Sequence, residues 1–355
     1  MKHHEYTAEA ITLLMSLIET PSVSRNEDEA ATLLERKMED YGLEPQRTGN
    51  NVWAIGAGFS PQRPTLLLNA HIDTVKPVAS WTRNPLQPTI EGDRLYGLGS
   101  NDCGGGLVSL LQAFRVITSR RQAYNTVFLA SAEEEVSGAD GIVRALPLIP
   151  RPDVAIVGEP TGMQPAVAEK GLMVLDITAH GKSGHAARRE GINAIYKMTD
   201  DIDRLRRLQF DRKSEFLGDT IVNVTCINAG TQHNVVPDIC TAVADVRTNE
   251  HYTNEEVYEI ICSCLDSEVK ARSFRLSSSH IDKSHPLVRR CVEMGMQPFG
   301  SPTLSDQALM SFPSFKLGPG DSSRSHAADE YICISEIDEA IKTYIRLLDG
   351  NLIKN

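Results

Sequence analysis

The stretch TLLLNAHIDT, residues 65–74, passes directly from a continuous apolar run into a polar segment that contains His71 and Asp73. A short apolar run bounded by polar residues is typical of a strand that is buried on both faces of a sheet. Three other strand-like runs also end in acidic residues or histidine: 127–130 before Glu133-Glu134-Glu135, 154–157 before Glu159, and 315–317 before Asp321 and His326. This repetition predicts buried strands with polar carboxyl ends.

Helical segments separate these runs. Apolar residues recur at helical spacing over 8–19, 27–41 and 106–117, and an amphipathic segment covers 335–348. Buried strands that alternate with helices predict an α/β fold, in which a mostly parallel sheet carries helices on both faces.

A different pattern interrupts this alternation. Its segments follow the order β-α-β-β-α-β: strand 172–179, helix 193–208, strands 220–227 and 239–246, helix 254–265 and strand 273–277. This order is that of a ferredoxin-like α+β sandwich. We therefore expect a catalytic domain formed by residues 1–171 and 282–355, with a small domain inserted at 172–281, because the last segment is too short to build a good core alone.

Composition excludes several classes of protein. The 355 residues are 41% hydrophobic and 23% charged, which is ordinary for a globular chain, and the net charge is −11. So acidic a surface argues against a nucleic-acid partner. Seven scattered cysteines argue against a disulfide framework, and no apolar run approaches the length of a membrane span. Because no signal-peptide pattern is present either, we expect a cytoplasmic protein.

The polar ends of the predicted strands indicate a metal site. In open α/β sheets, ligands bind beyond the carboxyl ends of the strands, so the polar segments are expected to meet there. Clustered carboxylates stay ionised together only when cations neutralise them, and oxygen ligands with imidazole favour zinc, cobalt or manganese. Each motif taken alone has a simpler interpretation as a capped turn or a solvated helix start, so the prediction depends on their joint occurrence. The candidate ligands are His71, Asp102, Glu135, Glu159 and His326.

Eight motifs, in order along nearly the whole chain, resemble those of one family of metal-dependent amidohydrolases. They are NAHIDTVKP, GLGSNDCGGG, SAEEEVSG, VGEPTG, GKSGHAA, NVVPD, DVRT and GPGDSSRSHAADEY. The family includes acetylornithine deacetylase, succinyl-diaminopimelate desuccinylase, aminoacylase and carboxypeptidase G. The resemblance implies a zinc-peptidase-like catalytic domain and an inserted lid domain that often forms a homodimer.

The resemblance also implies roles for individual residues around two divalent ions per subunit, zinc or alternatively cobalt. His71, Asp102 and Glu159 would hold one ion, and Asp102 would bridge to a second ion held by Glu135 and His326. Asp73 would orient His71 through its other ring nitrogen. Three further roles are implied: Glu134 as general base, His185 in the lid as a donor to a substrate oxygen, commonly in the partner subunit's site, and Asn234 and Arg247 as substrate-binding residues.

The implied reaction is hydrolysis of the amide bond of an N-acyl amino acid. N-acetylornithine, on the route to arginine, is the first candidate, followed by N-acetyl or N-succinyl forms of citrulline or ornithine. Where several relatives have an arginine, this chain has Leu304-Ser305-Asp306-Gln307-Ala308, so Arg247, Arg188 or Arg189 would have to hold the substrate carboxylate. Desuccinylation of succinyl-diaminopimelate, deacetylation of N-acetyl-lysine and cleavage of di- or tripeptides stay open as alternatives. A non-catalytic binding protein is disfavoured, because every implied ligand and the base are present.

Overall fold

The computed structural model describes residues 3–188 and 190–353. The chain divides into two compact units. The first comprises the described residues of Met1–Val167, His280–Phe299 and Ser305–Asn355, and the second comprises Ala168–Ser279 with Gly300–Leu304. The boundaries predicted from sequence, 172–281 for the insertion, stay a prediction.

The amino-terminal segment alternates helices and strands. Its helices are α1 (His3–Glu19), α2 (Asp28–Asp40), α3 (Gly105–Thr118) and α4 (Ile142–Ala145). Its strands are β1 (Gln46–Thr48), β2 (Asn51–Ile55), β3 (Thr65–His71), β4 (Thr89–Glu91), β5 (Arg94–Tyr96), β6 (Asn125–Ser131), β7 (Val154–Val157) and β8 (Ala166–Glu169).

The middle of the chain forms most of the second unit. Its elements are β9 (Met173–His180), α5 (Ala194–Arg207), β10 (Ile221–Ala229), β11 (Ile239–Arg247), α6 (Asn254–Cys264) and β12 (Glu268–Ala271). The carboxyl-terminal segment adds β13 (Ser279–His280), α7 (Pro286–Glu293), β14 (Phe299–Ser301), β15 (Ser314–Lys316), β16 (Tyr331–Cys333) and α8 (Ile334–Leu348).

A mixed sheet with a parallel centre forms the core of the first unit. Its strand order is β1-β2-β6-β3-β7-β15-β8, and β6, β3, β7 and β15 pair in parallel. β2 joins β6 antiparallel, and β15 joins β8 antiparallel. The predicted α/β class with a mostly parallel central sheet is confirmed.

Helices cover both faces of this sheet. On one face α3 lies against β3 and β6 and packs on α1 and α8. On the other face Leu67 of β3 joins a buried cluster with Trp53, Val127 and Ile142, the last from α4. Every residue of β3 is buried, which explains why its sequence is a continuous apolar run.

The second unit is a four-stranded antiparallel sheet in the order β10-β11-β9-β12. Buried side chains of α5 and α6, such as Met198 and Ile261, form one cluster with Leu175 and Ala242 of the strands. The chain order of these elements is the predicted β-α-β-β-α-β order.

The last strand of this unit was placed wrongly by the sequence pattern. It lies at Glu268–Ala271 and not at 273–277. Residues 273–277 lie outside the four-stranded sheet. The Asn254 side-chain amide donates to the main-chain carbonyls of Phe274 and Leu276 at 2.9 Å each, and Leu276 pairs with Leu172 only in an isolated antiparallel bridge. No helix in the described ranges is both long and apolar enough to cross a membrane.

We expect Leu67→Ala to destabilise the first unit by about 2 to 5 kcal/mol, because it leaves a cavity between the central sheet and α4. The measurement is the thermal and urea unfolding of both proteins. Leu148→Ala is the control, since Leu148 is 55% exposed and its truncation should change stability by no more than about 0.5 kcal/mol. Equal effects of the two substitutions would contradict the packing described here.

Candidate metal centre

The polar ends of the four parallel strands meet at one edge of the sheet. His71 is the last residue of β3 and is in register with Ser131, the last residue of β6. The loop after β6 carries the Glu133-Glu134-Glu135 run, the loop after β7 carries Glu159, and the loop after β15 leads to His326. Parallel pairing therefore brings together side chains that are far apart in the sequence.

Asp102 lies between two histidines. Its Oδ1 atom is 3.2 Å from His71 Nε2, and its Oδ2 atom is 3.7 Å from His326 Nε2. Glu159 Oε1 is 3.8 Å from the same His71 nitrogen. On the other side, Glu135 Oε2 is 2.9 Å from His326 Nε2. The five candidate ligands thus form one continuous cluster with Asp102 at its centre.

Burial differs between the two ends of the cluster. His71 is only 2% exposed, whereas the His326 side chain is 55% exposed and its residue has a positive φ of 57°. His71 Nδ1 lies 2.9 Å from the main-chain oxygen of Asp73, which can only accept, so this nitrogen carries the proton. Its Nε2 therefore faces the carboxylates and is the ring nitrogen that is positioned to bind a cation in place of a proton.

Asp73 connects His71 to the glutamate run. Its Oδ1 atom is 3.5 Å from His71 Nδ1 and accepts the main-chain N–H of Glu134 at 3.0 Å. Its Oδ2 atom accepts the N–H of Glu135 at 3.1 Å and the hydroxyl of Ser24 at 2.7 Å. One buried carboxylate thereby fixes the main chain of both glutamates. The Glu134 carboxylate lies 4.0 Å from His71 Nε2.

The clustered carboxylates shift one another's pKa values. Burial, with the charges of nearby acids, raises the pKa of Glu134 well above its usual range and that of Glu159 to about 8. The bond to Glu135 raises the pKa of His326 to about 9. Burial likewise raises the pKa of Asp306 and of Glu330 to about 7 each. At neutral pH, bound protons therefore neutralise part of the negative charge of the cluster unless a metal cation replaces them.

The donor set fits divalent metal ions. Imidazole nitrogens and carboxylate oxygens are the ligands of zinc and cobalt, and the facing atoms of His71, Asp102 and Glu135 all lie within 4.8 Å of one another. Glu159 Oε1 is buried and has no hydrogen-bond partner among the described residues, which is the state expected of a ligand atom.

Sequence reasoning overlooked Cys103, which also faces His71 and Glu159 within 4.8 Å. Its position next to Asp102 in the chain was the available signal. However, the sulfur accepts the main-chain N–H of His71 at 3.2 Å, and burial raises the pKa of the thiol to about 12. A neutral thiol is a poor metal ligand, so the carboxylate set is the better candidate.

The remaining candidates lie in the second unit. His185 and Asn234 are on neighbouring segments, since Ala186 N–H donates to the Asn234 carbonyl at 3.1 Å. The guanidinium of Arg247 already binds Asp245 in the same strand, at 2.7 and 3.0 Å. Arg188 is exposed, and Arg189 lies outside the described residues.

Gln307, which stands near the arginine position of several relatives, is buried in the first unit. Its Nε2 donates to Ser314 Oγ at 2.8 Å, at the start of β15. The preceding Asp306 accepts the hydroxyl of Ser131 at 2.5 Å, at the end of β6. This segment thus joins two central strands beneath the site.

The chain is similar to known metal-dependent hydrolases along nearly its whole length. The profile of peptidase family M20/M25/M40 matches residues 67–350. The chain is 29% identical to the acetylornithine deacetylase of Proteus mirabilis, across 97% of this chain and 96% of that protein. The structure of aminopeptidase PepT from Bacillus cereus superposes with a TM-score of 0.76 at 18% identity, covering 96% of this chain and 98% of that one. A dinuclear metal-binding M20 peptidase from Bacillus subtilis gives 0.74 at 19%, covering 97% and 98%.

We expect zinc to stabilise the protein more at pH 8 than at pH 5. Of the proposed ligands, Glu159 has a folded pKa raised to about 8, so its contribution to stability is present at acid pH. This contribution is lost as the pH rises from the unfolded value, about 4.3, through the folded one. A metal ion bound by the carboxylate replaces the lost proton. The measurement is the melting temperature of chelated protein with and without zinc, and a zinc effect independent of pH would contradict it.

Proposed function

Because the chain belongs to peptidase family M20/M25/M40, we propose that it is a two-metal deacylase that hydrolyses the amide bond of an N-acyl amino acid. N-acetylornithine is the first candidate substrate, and N-acetyl or N-succinyl citrulline and N-succinylornithine are close alternatives. The observation that carries this proposal is the position of Asp102, whose two oxygens face His71 and His326 while Glu134 lies beside the same cluster.

In this proposal His71, Asp102 and Glu159 would hold one ion, and Asp102, Glu135 and His326 would hold the other. When bound, the ions would polarise the amide carbonyl and lower the pKa of water. Zinc suits this set of ligands, and cobalt is the alternative. The distances between the histidines and the three carboxylates, none above 3.8 Å, support this division of ligands.

Glu134 acts as the general base. Its carboxylate lies 4.0 Å from His71 Nε2, farther than the carboxylates of the proposed ligands lie from the histidines. The hydrogen bond from its N–H to Asp73 fixes its main chain. It accepts a proton from the attacking water as the new C–O bond forms. It then delivers this proton to the amine nitrogen as the C–N bond breaks, so that the products are a carboxylate and the free amino acid.

The second unit supplies the remaining substrate contacts in this proposal. His185 donates to the developing oxyanion, in its own subunit or in a partner's, and Asn234 and Arg247 contact the substrate. A homodimer through this unit is supported by β10, which is an edge strand with Ile221 49% exposed and Ile227 52% exposed.

We place the reaction in arginine biosynthesis in the cytoplasm. The similarity to acetylornithine deacetylase supports the pathway, because deacylation of N-acetylornithine releases ornithine. The seven cysteines are all unpaired, which supports a reducing compartment.

A di- or tripeptidase is the second candidate function. The likeness to aminopeptidase PepT supports it, because the same scaffold serves a peptidase in that protein. Desuccinylation of succinyl-diaminopimelate and deacetylation of N-acetyl-lysine would use the same metal ligands. The ligands therefore do not distinguish these two reactions from hydrolysis of N-acetylornithine.

We expect Glu134→Gln to keep both metal ions and to lower kcat by about 10²- to 10⁴-fold, because the amide cannot accept the proton of water. Metal content and steady-state kinetics are the measurements. Glu133→Gln is the matched control, since it makes the same change one residue earlier, and its kcat should stay within about twofold of wild type. Near-normal turnover by Glu134→Gln would remove Glu134 from this role.

We expect the highest kcat/KM on an N-acyl form of ornithine or citrulline. The panel contains N-acetyl and N-succinyl forms of ornithine, citrulline, lysine and diaminopimelate, together with di- and tripeptides that have free amino groups. Chelation should abolish activity, and zinc or cobalt should restore it. A preference for the peptides would favour the second candidate, and full activity after complete metal removal would reject the two-metal mechanism.

A further inference from the structure

Glu330 is a buried carboxylate whose hydrogen bonds, among the residues that the structure describes, come from main-chain N–H groups. It is 3% exposed and follows His326 by four residues. Its Oε2 atom accepts the N–H of Gly99 at 2.9 Å, and its Oε1 atom accepts the N–H groups of Asn101 and Asp102 at 2.8 and 2.9 Å. Within the described ranges it forms no ion pair with a basic side chain.

The three N–H groups belong to the turn that presents Asp102 immediately before α3. Gly99 has a φ of 72°, and this left-handed conformation turns the main chain so that its N–H groups point inward. A single carboxylate thus holds the main chain at Gly99, at Asn101 and at Asp102 itself.

Asn101 ties the same turn to the loop that precedes His326. Its Oδ1 atom accepts the N–H of Asp321 at 3.0 Å, and its Nδ2 atom donates to the Asp321 carbonyl at 3.1 Å and to Ser325 Oγ at 3.3 Å. Glu330 and Asn101 therefore connect the two loops that carry Asp102 and His326.

We infer that Glu330 is a positioning residue that holds Asp102 where it can reach both ions and thereby sets the affinity for the second ion. The inference rests on the proposed function, which assigns Asp102, Glu135 and His326 to that ion. The first ion depends less on this contact, because His71 is fixed at the end of a buried strand and Glu159 follows another. The second ion depends on His326, which is exposed and carried by a loop.

The test is Glu330→Gln, which replaces one acceptor oxygen by an amide donor that faces an N–H group. We expect binding of the second zinc ion to weaken by about 10- to 100-fold, with the first ion retained, as is typical when a group that orients a metal ligand is changed. The measurements are competition of the metal-free protein with a chromophoric chelator and the visible spectrum after one and two equivalents of cobalt. Melting temperatures are recorded in parallel.

Asp329→Asn is the matched control. Asp329 is the neighbouring residue and also accepts three hydrogen bonds, from the N–H and hydroxyl of Thr82 and the N–H of Arg83, but in a different loop. We expect it to bind both zinc ions as wild type does. If Glu330→Gln does not fold, Glu330→Asp keeps the charge, draws the carboxylate away from the turn, and gives the same readout.

The outcomes separate this inference from the proposed function. Selective loss of the second ion in the Glu330 variant supports the inference. Wild-type affinity for both ions in that variant, or equal weakening in the Asp329 control, overturns it and leaves the two-metal site intact. Fewer than two ions in the wild-type protein would reject the two-metal site itself, and the inference with it.

Discussion

Parallel pairing of β6, β3, β7 and β15 brings the ends of four strands to one edge of the sheet, and with them a high density of negative charge. Burial there removes water that would otherwise solvate the carboxylates, so each charge is more costly than it would be at the surface. The cluster is tolerated because imidazoles, protons or divalent cations neutralise it. The catalytic chemistry proposed for the protein follows from this electrostatic requirement.

The arrangement around Asp102 shows how main-chain contacts govern side-chain chemistry. Neither Asp73 nor Glu330 is a proposed ligand, yet each carboxylate accepts main-chain N–H groups of the residues that are or adjoin ligands. Fixing the main chain restricts where the ligand side chains can reach, and it uses up hydrogen-bonding groups that would otherwise be buried without partners. The rigidity of the site therefore comes from these surrounding carboxylates as well as from the ligands themselves.

Much of the fold could be predicted from sequence because its signals are local. The apolar run at 66–68 and its polar continuation are sufficient to indicate a buried strand with a functional end, and β3 has that form in the structure. The order of helices and strands in the insertion was also predictable from sequence, apart from the position of its last strand. That strand was misplaced because the contacts that hold residues 273–277 outside the sheet, such as those from the Asn254 side chain to the carbonyls of Phe274 and Leu276, have no local sequence signal.

The site was less accessible to sequence reasoning because its geometry depends on contacts between distant segments. Spacing alone could not place Asp102 between two histidines, and the resemblance to a family was needed to assign it there. Glu330 was not recognised at all, since a glutamate in a polar stretch has no local signature of burial. The pairing of Arg247 with Asp245, in contrast, could have been predicted, because residues two apart in a strand point to the same face of the sheet.

The strand β15 is translated long after β7, the strand with which it pairs in parallel. This strand begins at Ser314 and pairs with β7, which ends at Val157, so the whole second unit is translated between two adjacent strands. Contacts of such sequence separation form slowly, and here they cannot form until the ribosome has translated the second unit and β15 itself. Until then the nascent polypeptide exposes one edge of β7, so prematurely terminated products are expected to be inactive and prone to association.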